Sequence, residues 1–140
     1  MPALNKLYRD YRDRAAFYVV YIAEAHPVDA WQLPSNIEDD VLVRTTKTTD
    51  ERYTAAGLCV KNLGIEIPAI VDGPDDAVEQ SYTAWPDRLY VVDRDGRVAY
   101  KSGPGPWGFK PAEVEETLKR LLQRGSARPQ PPPATKKTRQ

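Results

Sequence analysis

The longest apolar run of the chain, Ala15 to Ala23 (AAFYVVYIA), follows directly on a stretch of helical period, and that junction limits the fold more than any other feature. Phe17, Tyr18, Val19, Val20, Tyr21 and Ile22 are β-branched or aromatic with no polar residue alternating between them, which suits a strand covered on both faces, as in a parallel sheet. Ahead of it, Leu4, Leu7, Tyr8 and Tyr11 recur at spacings of three and four between Asn5, Lys6, Arg9, Asp10 and Arg12, the pattern of an amphipathic helix within residues 2–14. A helix that feeds a buried strand points to an α/β fold. The run is also about half of the ~20 residues that a membrane-spanning helix needs. No secretory signal precedes it, so the expectation is a cytoplasmic protein without a membrane partner.

Downstream, residues 24–40 contain Pro27, Pro34 and Ser35-Asn36 and no sustained period, which reads as a long loop before a short strand over 41–44. Thr49, Asp50 and Glu51 open a second helix that carries Tyr53, Ala56, Leu58, Cys59, Val60 and Leu63 to a terminal Gly64. A strand over 67–71 and a short helix over 75–84 follow. Residues 88–92 and 98–101 are paired strands around the turn Arg94-Asp95-Gly96. Pro111 starts a last helix, with Val114, Leu118, Leu121 and Leu122 on one face.

Charge separates the chain into two parts. All 20 acids and all but four of the 20 Lys and Arg residues precede Gly125, so residues 1–124 form a mildly acidic domain. Residues 125–140 (GSARPQPPPATKKTRQ) are Pro-rich and basic, have no apolar residue larger than Ala, and read as a disordered tail. Four cations are a weak footprint for nucleic acid, and none is expected as a partner. One cysteine, Cys59, excludes an intramolecular disulfide, and one histidine, His26, leaves no cluster with metal-ligand spacing. Cys59 lies among Leu58, Val60 and Leu63 and reads as an inert core thiol. In an extended strand alternate residues share a face, so Glu24 and His26 at i and i+2 project together at the C-terminal end of the first strand, where α/β sheets place their sites. Two polar side chains at a solvated strand end are the alternative.

Three segments carry a resemblance: LNKLYRDY in the leading helix, YIAEAHPVDAW at Tyr21 to Trp31, and AWPDRLYVVDRDGRVAYKSGPGPWGF at Ala84 to Phe109. Across roughly Leu4 to Leu122 the chain resembles the iodothyronine deiodinase family, including its bacterial members. The resemblance implies a thioredoxin-like fold, three-layer α/β/α with a mixed sheet. It implies reductive dehalogenation of an iodinated or halogenated phenol, in which a selenolate or thiolate attacks iodine and a proton goes to the ring carbon. His26 and Glu24 would be the proton relay, joined by Tyr21. Trp31, Asp87, Arg88 and Trp107 would line the substrate site, an ordinary surface ion pair being the alternative for Asp87 and Arg88; by its own residues the run GPGPWGF reads as a rigid loop with Trp107 and Phe109 packed under the last helix. No resident cofactor is implied; the partners are a small aromatic or halogenated substrate and an external thiol reductant.

The chain departs from the family at two positions. Pro104 stands where vertebrate members carry an arginine between glycines, and Thr46 where they carry a second histidine. The family's selenocysteine or cysteine would precede Met1, together with the first core strand and active-site turn. The chain therefore reads as lacking that strand, through a start assigned downstream of a selenocysteine codon, and as inactive as given. Two sheet edges left without partners are a route to a homodimer. Whether it is an enzyme stays open at this point, because a thiol peroxidase of peroxiredoxin type and a non-catalytic thioredoxin-like binding module fit the same elements.

Overall fold

A computed structural model describes residues 1–126 of the protein. The first helix, α1 (Pro2–Tyr11), starts with proline in its first turn, where the missing N–H costs nothing. It buries Leu7 and Tyr11 and also Asn5, whose amide donates to the Gly64 carbonyl at 2.6 Å and whose oxygen accepts from the Glu66 N–H at 3.1 Å. That one side chain ties α1 to the turn between a helix and a strand some sixty residues on. The apolar run then supplies β1 (Val19–Tyr21), paired parallel with β2 (Ala69–Val71) in the register Val19 to Ala69, Val20 to Ile70 and Tyr21 to Val71.

The crossover between these strands contains a short α2 (Pro34–Glu38) and the longer α3 (Thr49–Asn62), which packs on β2. A capping box opens α3: the Glu51 N–H donates to the Thr48 hydroxyl at 3.2 Å, and the Glu51 carboxylate accepts from the Thr48 N–H at 3.1 Å. The cap is thus Thr48, with Thr49 the first helical residue. After β2 the chain enters α4 (Ala77–Tyr82). Its first turn is held by the buried Asp72 carboxylate, which accepts from the Val78 and Glu79 N–H groups at 3.1 and 2.8 Å.

A hairpin of β3 (Tyr90–Val92) and β4 (Val98–Lys101) forms a second two-stranded sheet, antiparallel, with a register shift between Val91 and Val92. The final helix, α5 (Pro111–Ser126), covers one face of the hairpin and also meets α1. Leu7, Tyr11, Val91, Val114 and Leu118 form the core there, with Phe17, Leu89, Tyr100 and Leu121 packed around it. Mixed α/β order with helices on the sheets agrees with the thioredoxin-like expectation. Each of β1 and β3 has a single strand partner among the described residues.

Several local expectations change. β1 ends at Tyr21, and residues 22–27 are irregular, because Pro27 and the small Ala23 and Ala25 end the apolar pattern. Residues 41–44 form no strand; two isolated backbone bonds join them to the preceding loop, Val28 N–H to the Val43 carbonyl at 2.7 Å and Val41 N–H to the Asn36 carbonyl at 2.8 Å. The loop over 24–40 contains α2, started by Pro34. Trp107 does not pack under α5: it is 85% exposed, and Phe109 is 38% exposed. The helix continues to Ser126, past the expected boundary at residue 124, and the tail beyond it lies outside the described residues. Trp85-Pro86 and Gly105-Pro106 are both cis. No helix among the described residues is long and apolar enough to cross a membrane.

Candidate functional site

The parallel register puts Tyr21 at the C-terminal end of β1, and the chain turns immediately after it, which brings Glu24 back to the strand's end. The Tyr21 hydroxyl donates to Glu24 Oε1 at 3.2 Å. It also touches the Cys59 thiol of α3, which is half-buried and free. Burial, followed by Cys59 and Glu24, pushes the Tyr21 pKa far above the ordinary phenol value, so the hydroxyl keeps its proton and donates at any physiological pH. Burial likewise raises the Cys59 thiol, helped by Glu24 and opposed by its bond with Tyr21. A thiol held protonated is a poor nucleophile. The inert reading of Cys59 therefore gains a reason, although the side chain faces Tyr21 rather than lying sealed in a core.

Glu24 has further partners across the loop. Its Oε2 accepts from the Thr46 N–H at 3.1 Å, and the Thr46 hydroxyl lies 3.0 and 3.1 Å from its two oxygens. Behind Thr46 stands Arg52, which is 3% exposed. Its Nε–H donates to the Thr46 hydroxyl at 3.1 Å, and its Nη1 to the Gly73 carbonyl at 2.5 Å and Asp76 Oδ1 at 2.6 Å.

His26 is held separately. Its Nδ1 lies 3.2 Å from the Trp31 carbonyl, and the His26 and Trp31 rings meet edge to face with centroids 4.7 Å apart. A carbonyl only accepts, so Nδ1 carries the proton and Nε2 is the basic nitrogen of the neutral ring. Asn36 of α2 donates to the His26 carbonyl at 3.3 Å, and Asp29 accepts from the Thr45 N–H and hydroxyl at 2.9 and 3.1 Å. The Thr45 N–H in particular holds the Asp29 carboxyl below the usual carboxylate range. Glu24 and His26 thus occupy one loop but bond to different partners, Glu24 to Tyr21 and Thr46, His26 to Trp31. Tyr21, Glu24, Thr46 and Arg52 form one continuous hydrogen-bonded chain.

The remaining expected substrate residues lie on the hairpin side. Asp87 is exposed overall, yet partial desolvation of its carboxyl raises the pKa despite the neighbouring Arg88. Its carboxylate lies directly over Gly105, where an added Cβ would fall 1.8 Å from Oδ1. Arg88 grips backbone carbonyls, those of Thr83 at 2.5 Å and Ser102 at 2.9 Å, and so braces the hairpin. Trp107 in the adjoining loop and Trp31 beside His26 are both largely exposed, at 85% and 71%. Sequence reasoning missed Arg52. The signal available was an arginine on the inward face of α3, four residues before Ala56 and seven before Cys59, where the helical period calls for an apolar side chain. Among the described residues no group of three His, Cys, Asp or Glu side chains is placed to hold a metal ion.

A family model described as iodothyronine deiodinase matches residues 1–122. The type I iodothyronine deiodinase of Xenopus laevis is 32% identical over 116 residues, 83% of this chain and 44% of that protein. The type II iodothyronine deiodinase of Petromyzon marinus is 37% identical over 114 residues, 80% of this chain and 38% of that protein. The thyroxine 5-deiodinase of Gallus gallus is 34% identical over 120 residues, 84% of this chain and 44% of that protein. The chain spans under half the length of these relatives.

Proposed function

The chain belongs to the iodothyronine deiodinase family, and on that premise we propose that it is part of a thioredoxin-like oxidoreductase that removes iodine or another halogen reductively from a phenol. The observation that carries the reading is the arrangement at the end of β1, with Tyr21 bonded to Glu24 and the basic Nε2 of His26 left outside the Trp31 bond. A selenolate or thiolate attacks the halogen, the carbon–halogen bond breaks, and its electron pair stays on the ring carbon. That carbon takes a proton from His26, whose Nε2 first picks it up from solvent; Glu24 and Tyr21, bonded to each other and not to His26, would hold a second proton beside the reacting groups. An external thiol then reduces the selenenyl or sulfenyl halide, which releases halide and restores the nucleophile.

Cys59 is a poor choice for that nucleophile, being half-buried and held protonated. The reading therefore takes it from a selenocysteine or cysteine on a strand ahead of α1. Such a strand would pair with the second edges of β1 and β3, and its nucleophile would be acidified by the N-terminus of α1. Trp31, Asp87 and Trp107 are proposed as the substrate-facing residues, with Arg88 bracing the hairpin beside them through the Thr83 and Ser102 carbonyls. The test is iodide release from an iodophenol with a dithiol reductant, comparing the chain extended by its upstream coding sequence, with Cys at the nucleophile position, and the same protein with Ser there. Release by the Cys form alone is expected. A folded Cys form that releases no iodide would remove the dehalogenase reading and leave a thiol peroxidase or a binding module.

A further inference from the structure

The site contains a polar chain whose direction is fixed by donor chemistry. Arg52 has no acceptor atom, so its Nε–H must donate to the Thr46 hydroxyl at 3.1 Å. The hydroxyl's own proton is then left for Glu24, 3.0 and 3.1 Å from the two carboxylate oxygens, while the Thr46 N–H binds Oε2 at 3.1 Å. Tyr21 closes the set on Oε1. Arg52 itself is buried and fixed from two further sides by the Gly73 carbonyl and Asp76. Three segments are locked together: the loop after β1, the lead-in to α3, and the turn between β2 and α4.

We propose that Thr46 and Arg52 are positioning residues for Glu24, Arg52 orienting the Thr46 hydroxyl so that its proton, with the Thr46 N–H, holds the carboxylate in one rotamer facing Tyr21. The inference rests on the reading that Glu24 handles protons, but the anchoring itself is independent of that reading. Threonine supplies two donors to one carboxylate from a single residue. A buried arginine behind it removes the freedom of the hydroxyl to point elsewhere.

Two measurements test this. In the 140-residue protein, Glu24→Ala is expected to speed amide exchange at Thr46 about tenfold. Lys47, whose N–H donates to Glu51 at 2.8 Å, serves as the unchanged internal control. Unchanged exchange at Thr46 overturns the anchoring whatever the activity. In the nucleophile-bearing form, Thr46→Val is expected to lower kcat about tenfold with KM little altered. Thr46→Ser should restore it, and Thr46→Val should cost nothing further when Glu24 is already replaced by alanine. An equal loss in both backgrounds means that Thr46 acts through general structure and overturns the positioning role. If that form releases no iodide at all, the functional reading fails, and the exchange result decides the anchoring alone.

Discussion

Replacing Arg52 by leucine removes a buried guanidinium and leaves its three acceptors in place, so the cost can be worked from those acceptors. The Gly73 carbonyl and the Thr46 hydroxyl each lose a donor that reaches them at 2.5 and 3.1 Å, worth about 1 kcal/mol apiece. Asp76 loses its ion pair at 2.6 Å, but its side chain is 29% exposed and regains water. We therefore assign it about 1 kcal/mol instead of the roughly 3–5 of a fully buried broken pair. The total is about 3 kcal/mol, and for a domain of this size that lowers Tm by about 10 °C. Arg52→Lys keeps a charge beside Asp76 but not the planar fork that also reaches Thr46, and is expected to lose about half as much. Urea unfolding followed by circular dichroism reads both. An Arg52→Leu variant whose stability stays within about 0.5 kcal/mol of the original would refute the idea that Arg52 clamps the lead-in to α3 to the turn between β2 and α4.

Three other outcomes follow from the packing and the caps. Thr48→Ala removes half of the capping box on α3 and is expected to cost about 1 kcal/mol in urea titrations, while Thr49→Ala costs little, since Thr49 is not the cap. Gly108→Ala places a Cβ 2.2 Å from the Gly103 backbone and should destabilise by about 2 kcal/mol or more, whereas Gly105→Ala meets only the movable Asp87 side chain and should cost under about 1 kcal/mol. The Tyr100 hydroxyl donates to Glu113 at 2.9 Å, and burial together with that carboxylate pushes its pKa up to about 12. The folded state favours the neutral phenol, so this contribution is intact below the ordinary phenol value near 10 and declines as pH rises towards about 12. Tyr100→Phe should flatten that alkaline slope in urea midpoints measured from about pH 8 to 12.

Much of the molecule follows from local pattern. The amphipathic spacing of Leu4, Leu7 and Tyr11 and of Val114 and Leu118 places α1 and α5, and the Asp-Gly turn places β3 and β4, because each signal is repeated over several residues. Motif resemblance supplied the family. What pattern did not supply depends on long-range contacts. Val41 to Arg44 looks like a strand by composition, yet it meets the preceding loop through two isolated backbone bonds that build no ladder, while the Asp29 side chain holds the next residue, Thr45. Trp107 reads as core by residue type, but prolines on both sides of Gly105 hold its loop out from α5. Arg52 looks like an ordinary helix cation by residue type and is buried, because the lead-in to α3 and the turn between β2 and α4 converge on it with three acceptors. The sequence singles out Tyr21, Glu24 and His26. It does not reveal their separate tethers, Thr46 for Glu24 and the Trp31 carbonyl for His26, since neither follows from i and i+2 spacing once β1 ends at Tyr21.

Under the proposed function, His26 delivers the proton in a reductive dehalogenation at the end of β1. The kcat for iodide release by the nucleophile-bearing protein before and after His26→Ala, with folding checked by circular dichroism, decides between this role and none. A fall of at least about a hundredfold is expected. An unchanged kcat in the folded variant would contradict it.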